Sequence, residues 1–159
     1  MQIYIMRHGQ AEMMAASDSE RALTSLGRLE SEQMAKYLAE NDISFDAVFV
    51  SPYLRAQQTW HSVSPFFPAV VNVQTLPILT PSGSARKSVN EILALQTEGI
   101  KHLLIVSHLP LVGYIIGELV PSAGVPAFST SAVGHVELED SGFAKLHSLT
   151  RVSQLPING

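Results

Sequence analysis

The sequence predicts an α/β fold, a three-layer sandwich in which helices flank a mainly parallel central sheet. Short apolar segments of strand length alternate along the chain with longer amphipathic segments, which is the order expected for parallel strands joined by helices. One segment, 102–107, is apolar at every interior position, as in a strand buried on both faces. With 159 residues, no repeat and no long linker, the chain is expected to form one domain over 1–159.

The first strand is predicted at 2–6, and a helix over 24–42 follows it. One face of that helix is expected to carry the apolar residues Leu26, Leu29, Met34, Tyr37 and Leu38. Thr24 or Ser25 is a suitable N-cap, and the pair at 41–42 is typical of a helix end.

A second strand at 46–51 leads into a helix over 53–63, with Pro52 in its first turn. The β-branched segment 69–76 is the third predicted strand. A helix over 84–98 follows, and Gly99 is placed to end it.

The buried strand 102–107 precedes the fourth predicted helix, over 111–119. A loop rich in Pro, Gly and Ser occupies 121–131. The last two strands, 132–138 and 144–149, are separated by a turn signal and are expected to form an antiparallel hairpin at one edge of the sheet.

Composition excludes several classes of protein. Hydrophobic residues make up 46% of the chain, but no apolar stretch reaches the ~20 residues of a membrane span. We see no signal peptide and expect a cytoplasmic protein. The absence of cysteine removes disulfides and thiolate chemistry, and a net charge of −4 argues against nucleic-acid binding.

Cationic side chains follow three of the predicted parallel strands at their carboxyl ends. Arg7 and His8 end the first strand, Arg55 begins the helix after the second, and His108 follows the fourth. Ligands of open parallel sheets bind at this edge. Two arginines and two histidines with almost no counter-charge favour a phosphoryl group as ligand. Structural roles without partners are expected for the remaining histidines, His61, His102, His135 and His147.

Four segments carry a family resemblance: "MRHG", "AASDSERALTSLG", "VSPYLRAQQT" and "IVSHLPLVG". Together they resemble the histidine phosphatase superfamily, whose fold is called phosphoglycerate mutase-like. The similarity covers most of the chain and is greatest to the small bacterial branch of SixA-type protein phosphohistidine phosphatases. The length supports that branch, because it leaves no room for large helical insertions.

The resemblance implies a role for each matched residue. His8 is the nucleophile and forms a phosphohistidine intermediate. Arg7, Arg55 and His108 hold the phosphoryl oxygens and stabilise charge in the transition state, and Arg21 is an additional phosphate-binding residue. No metal ion or other cofactor is expected.

The sequence departs from the family pattern in its proton donor. Many members carry a general-acid carboxylate after the third strand, but residues 76–88 contain no Asp or Glu, and Ile78 stands where the small branch often has Glu. Asp18 is a possible donor, or else a partner of Arg21. Glu12 is a second candidate, or else solvent-facing.

The first hypothesis is therefore a phosphatase that removes phosphate from histidine on a bacterial protein. Its partner would be a phosphotransfer domain of two-component signalling or a carrier of a phosphotransferase system. A phosphohistidine P–N bond is labile, so a site without a strong acid suits it. Two alternatives are a small-molecule phosphomonoesterase of the same superfamily and a non-catalytic phospho-binding module.

Overall fold

A computed structural model describes residues 1–156 and shows one six-stranded sheet between two layers of helices. The strands are β1 Gln2–Arg7, β2 Ala47–Val50, β3 Val73–Thr75, β4 His102–Ser107, β5 Val133–Leu138 and β6 Ala144–Thr150. The helices are α1 Ser25–Glu40, α2 Leu54–Val63, α3 Ala85–Thr97 and α4 Leu111–Leu119. The predicted α/β class is confirmed. Within the described residues, no helix is long and apolar enough to cross a membrane.

The sheet has the order β3-β2-β4-β1-β5-β6. Strand β4 is parallel to both of its neighbours, β1 and β2, and β2 is parallel to β3. The hairpin of β5 and β6 runs antiparallel at one edge, as predicted. This order brings the carboxyl ends of β1, β4 and β2 side by side, which is the arrangement that the site prediction requires.

Alternating side chains of the central strands supply two cores. Ile3 and Ile5 of β1 are fully buried in the core that packs against α3 and α4. Tyr4 and Met6 point to the other face and pack with residues of α1 and α2. Burial of each such side chain contributes about 1.5–3 kcal/mol, so the strand ends between the helix layers are held firmly.

The predicted buried face of α1 is partly wrong. Leu26 and Leu29 are 47% and 50% exposed, whereas Gly27 and Ser31 face inward. The first turns of α1 lie directly against the loop after β1. A Cβ atom on Gly27 would stand 2.1 Å from the backbone oxygen of Gln10. Only small residues fit this contact, so the apolar periodicity of the helix begins after it.

The helix ends lie at the residues that the sequence predicted. Thr24 caps α1 by accepting a hydrogen bond from the Gly27 N–H at 3.0 Å, and Asn41 is the C-cap. Gly99 follows α3 with φ of 89°, a conformation that favours glycine.

The third strand is shorter than predicted, since only 73–75 of the segment 69–76 pairs with β2. The backbone before it turns, with the Val70 N–H donating to the Phe67 oxygen at 3.2 Å. All three residues of β3 are exposed at the edge of the sheet, where short strands are common.

Candidate active site

The side chains predicted to form the site do come together at the carboxyl ends of β1, β2 and β4. The rings of His8 and His108 lie with centroids 5.0 Å apart. Arg55, in the first turn of α2, brings Nε to 3.4 Å from His8 Nε2. Arg7 ends β1 and pairs with Ser107 of β4. Both histidines and Arg55 are buried, with 6% or less of each residue exposed.

Hydrogen bonds define the protonation of the His8 ring. Its Nδ1 lies 2.7 Å from the Gly9 carbonyl oxygen. A carbonyl oxygen only accepts hydrogen bonds, so Nδ1 carries the proton and Nε2 carries a lone pair. The Arg55 Nε–H points at that lone pair. The ring is therefore oriented as an unprotonated nitrogen nucleophile.

Gly9 is fixed by close packing. A Cβ atom there would lie 2.6 Å from the Gly27 backbone oxygen and 2.8 Å from Ser31 Oγ. Any larger residue would push the chain away from α1 and displace the carbonyl that holds His8. The small residues of α1 and the orientation of His8 therefore depend on one contact.

Two buried nitrogens of the cluster have no hydrogen-bond partner. They are Arg7 Nε and His108 Nδ1, and among residues 1–156 no other buried side-chain nitrogen or oxygen lacks one. Arg7 also donates from NH1 to the Phe128 oxygen at 2.9 Å. A buried polar group without a partner costs about 1–3 kcal/mol. Arg7 Nε–H is a donor and would be satisfied by an oxygen of an anionic ligand, as would His108 Nδ1 in the tautomer that carries its proton there.

Burial and neighbouring cations keep both histidines neutral. Desolvation is the main cause that lowers the pKa of His8 to about 4, and Arg55, Arg7 and Arg21 lower it further. The hydrogen bond to Gly9 acts in the opposite direction. Burial is the main cause that lowers the pKa of His108 to about 3, and the neighbouring His8 and Arg55 disfavour its protonation further.

Asp18 links two of the arginines. Its Oδ2 accepts from Arg55 NH2 and its Oδ1 from Arg21 NH1, both at 3.1 Å. Its backbone oxygen also accepts from Arg55 NH1 at 2.6 Å. The cluster therefore has more counter-charge than the sequence predicted. Among the described residues Arg7 has no carboxylate partner, so its positive charge, which helps to lower the pKa of His8, is not offset by an ion pair.

The two candidate proton donors, Asp18 and Glu12, are both held beside Arg21. The hydrogen bond from Arg21, together with Arg55, holds the pKa of Asp18 below its usual value, so the group is a carboxylate at neutral pH. The Glu12 side chain is exposed, and its backbone oxygen accepts from Arg21 Nε at 2.7 Å. Ile78 lies in a short 3-10 helix, Pro77–Leu79, beside β4. The donor role of Asp18 stays a prediction.

Several residues of the site were missed from the sequence. Ser51, at the end of β2, places Oγ 2.7 Å from His108 Nε2. The Ser131 N–H donates to the backbone oxygens of both Arg7 and His8 at 3.1 Å, with Ser131 at φ 61°. From the sequence, Ser51 could be identified only as a polar residue at the end of a predicted strand. The contacts of Ser131 use the backbone of an irregular loop, for which the sequence carries no periodic signal.

Three of the histidines outside the cluster have partners, which contradicts the expectation that they stand alone. The pairs are His102 with Asp46, His135 with Gln2, and His147 with Glu137. His102 begins β4, at the end opposite His108.

The lowered pKa of His8 predicts that acid destabilises the protein. Folded His8 stays neutral down to a pH of about 4, whereas the unfolded side chain takes up a proton near 6.5. Between these values the unfolded state binds more protons than the folded state. The free energy of unfolding therefore decreases as the pH is lowered, by about 1.4 kcal/mol per pH unit for this group. In phosphate-free urea unfolding from about pH 6 to about pH 4.5, His8→Asn should lose that part of the slope.

The exposed His61 of α2 supplies the control His61→Asn, which should keep the wild-type slope. Equal slopes for wild type and His8→Asn would contradict a buried neutral His8.

Known proteins resemble this chain over nearly its whole length. The model of the histidine phosphatase superfamily (branch 1) matches residues 3–80. Phosphohistidine phosphatase SixA of Escherichia coli is 44% identical over 142 residues, which are 89% of this chain and 88% of that protein. The SixA homolog of Haemophilus influenzae is 43% identical over 126 residues, 75% of this chain and 77% of that protein.

A solved structure of the protein histidine phosphatase SixA complexed with tungstate matches with a TM-score of 0.95 and 41% identity. The match covers 98% of this chain and 100% of that one. The similarity therefore extends over most of the chain and over its fold, and is not confined to the short motifs of the site. The chain therefore belongs to the histidine phosphatase superfamily.

Proposed function

We propose that this protein hydrolyses the phosphoryl group of a phosphohistidine carried by another protein, with His8 as the nucleophile. The observation that carries the proposal is the buried, neutral His8 ring, whose Nε2 lone pair faces the Arg55 guanidinium. The likeness to phosphohistidine phosphatases, one of them solved with the tetrahedral oxyanion tungstate, supports the same activity.

In the first step, His8 Nε2 attacks phosphorus and forms a new P–N bond. The P–N bond to the substrate histidine breaks, and its electron pair goes to the leaving imidazole, which takes a proton. Arg7, Arg55 and His108 hold the phosphoryl oxygens, and Arg21 adds positive charge at the rim. Phosphoryl transfer needs this kind of positioning and charge stabilisation more than further covalent chemistry.

In the second step, water attacks the phosphoryl group on His8. The P–N bond to Nε2 breaks and its electron pair returns to the ring, which becomes the neutral Nδ1–H form again. Phosphate leaves with the oxygen of the water, and one proton of the water passes to solvent. The Gly9 oxygen accepts from Nδ1 throughout, so the ring does not need to turn between the two steps.

The leaving group fits the acid–base equipment of the site. An alkoxide needs a proton donor, and the segment 76–88 offers none. An imidazole leaves more readily and can be protonated from solvent. The proposed partners are a phosphotransfer domain of two-component signalling or a carrier of a phosphotransferase system, and the cytoplasm is the compartment in which we propose the reaction.

Transfer of radiolabel tests the role of His8. A histidine-containing carrier protein, phosphorylated chemically with labelled phosphoramidate, should release phosphate on addition of the enzyme, and label should appear transiently on the enzyme. His8→Ala should lower release by at least about a thousandfold because the nucleophile is lost. His61→Ala is the control and should behave as wild type.

Undiminished release by His8→Ala would contradict the mechanism. Turnover of phosphoserine peptides at a comparable rate would favour the phosphomonoesterase alternative. Tight binding of the phosphoprotein without any release by wild type would favour the non-catalytic alternative.

For Asp18 we propose the role of an anchor that holds Arg55 and Arg21, since its two oxygens are engaged by them. Asp18→Asn should then lower kcat/KM by roughly tenfold to a hundredfold, the loss typical of a charged hydrogen bond. The loss should be equal across N-phosphorylimidazoles whose leaving groups differ in pKa. If Asp18 is instead the proton donor, the loss will grow as the leaving group becomes more basic.

The loop that carries Asp18 and Arg21 supports a protein substrate. Its base is pinned by the Ala11–Leu23 bridge and by the bond between Arg21 and the Glu12 oxygen. The same loop holds Met13 and Met14 out in solvent, each 85% exposed. Adjacent exposed methionines beside an anion site are suited to a partner whose phosphoryl group enters that site, since methionine adapts to varied apolar surfaces.

Replacement of both methionines by serine should therefore raise KM for the phosphorylated carrier protein by about tenfold, a loss of roughly 1.4 kcal/mol. Turnover of N-phosphorylimidazole should stay unchanged. The control is Val71→Ser with Phe143→Ser, which alters two exposed apolar residues away from the carboxyl ends of β1, β2 and β4. Equal effects on both substrates would contradict a contact with the partner protein.

A further inference from the structure

We propose that Ser51 is a positioning residue that sets the tautomer of His108, so that His108 presents an Nδ1–H to a phosphoryl oxygen. The inference rests on the proposed function for the identity of the ligand. It rests on the structure alone for the proton arrangement.

Ser51 is held rigidly at the end of β2. Its side chain is fully buried, and its own N–H donates to the Val106 oxygen at 3.0 Å. The Gln57 side chain donates to the Ser51 backbone oxygen at 2.9 Å. From this fixed position Oγ reaches His108 Nε2 at 2.7 Å. The Tyr53 ring packs edge-on against His108 at 5.2 Å and limits its rotation.

The direction of the Ser51 hydrogen bonds follows from a second contact. The Tyr53 backbone N–H lies 3.3 Å from Ser51 Oγ, and an N–H can only donate. Oγ accepts that bond. Among the described residues its own proton has no other acceptor within hydrogen-bond distance than His108 Nε2, so we infer that the hydroxyl donates there. A neutral imidazole that accepts at Nε2 carries its proton on Nδ1.

Nδ1 is the nitrogen of His108 that has no partner among the described residues. With a proton it is a buried donor, as a phosphoryl oxygen requires. With a lone pair instead, it would repel that oxygen, because a dianionic phosphoryl group has no proton to donate. The ring would also gain nothing by ionising, since burial and the neighbouring Arg55 disfavour its charged form.

Ser51→Ala removes the donor at Nε2 and frees the ring to move its proton there. We expect tungstate, used as an inorganic probe of the phosphoryl site, to bind about tenfold more weakly. We expect kcat for phosphohistidine to fall by about a hundredfold, as for loss of a donor to a developing negative charge. Ser51→Cys, whose thiol is a weak donor, should fall between Ser51→Ala and wild type.

Ser88→Ala is the matched control. Ser88 is 2% exposed on α3 and donates its hydroxyl proton to the Ser84 oxygen, away from the site. It should lose a similar amount of stability in thermal unfolding, yet bind tungstate as wild type does.

Nitrogen-15 NMR of histidine-labelled protein reads the tautomer directly and needs no substrate. In wild type, with the signal assigned by its loss in His108→Gln, His108 should be the Nδ1–H form. In Ser51→Ala the Nε2–H form should appear. A wild-type His108 in the Nε2–H form would overturn the proposal, as would a Ser51→Ala protein with unchanged tautomer and unchanged tungstate affinity. Because these readings do not depend on turnover, failure of the proposed phosphatase activity would be seen separately.

Discussion

The hydrogen bond from His8 Nδ1 to the Gly9 oxygen is the constraint on which the rest of the site depends. At 2.7 Å it decides which ring nitrogen holds the proton, and it exists only where the chain can fold back on itself directly after the strand. That fold-back brings Gly9 against Gly27 and Ser31, with no space for a Cβ atom at either glycine. The first turns of α1 are therefore shaped by the site, and the larger apolar residues of the helix begin further along.

A second constraint is the burial of positive charge. Arg55 and both histidines are almost inaccessible, and Asp18 is the carboxylate that offsets Arg55 and Arg21. Where positive charge exceeds negative charge in a buried site, ionisable groups that can become neutral do so. Histidine can become neutral and arginine cannot. The histidines are therefore neutral, while the arginines stay charged and provide the positive potential that attracts an anion. A neutral nucleophile beside fixed cations is a direct result of this difference between two side chains.

Much of this arrangement was predictable from the sequence. Apolar runs that stop at Arg7, His8 and His108 mark the carboxyl ends of strands, and parallel strands bring such ends to one edge. The order of β2, β4 and β1 confirmed that they are neighbours. The contacts that could not be predicted join residues that are far apart in the sequence. Asp18 reaches Arg55 across 37 positions in sequence, and Ser51 reaches His108 across 57.

The errors in the fold have similar causes. Helical periodicity placed Leu26 and Leu29 in the core because it takes no account of how closely a neighbouring loop approaches. The β-branched character of 69–76 was correct for an extended segment, but pairing ended where an edge strand has no second neighbour. Backbone donors such as the Ser131 N–H leave no trace in a sequence, since every residue except proline has one.

The two histidines of the site illustrate how neighbours, rather than residue type, decide chemical role. An acceptor, the Gly9 oxygen, takes the Nδ1 proton of His8 and leaves the Nε2 lone pair for phosphorus. In the proposed arrangement a donor, the Ser51 hydroxyl, occupies Nε2 of His108 and leaves an Nδ1 proton for oxygen. One imidazole therefore supplies an electron pair and the other a hydrogen-bond donor, although both are neutral and their rings lie 5.0 Å apart. Because these roles are opposite, the two rings can act on different atoms of one phosphoryl group, His8 on phosphorus and His108 on an oxygen.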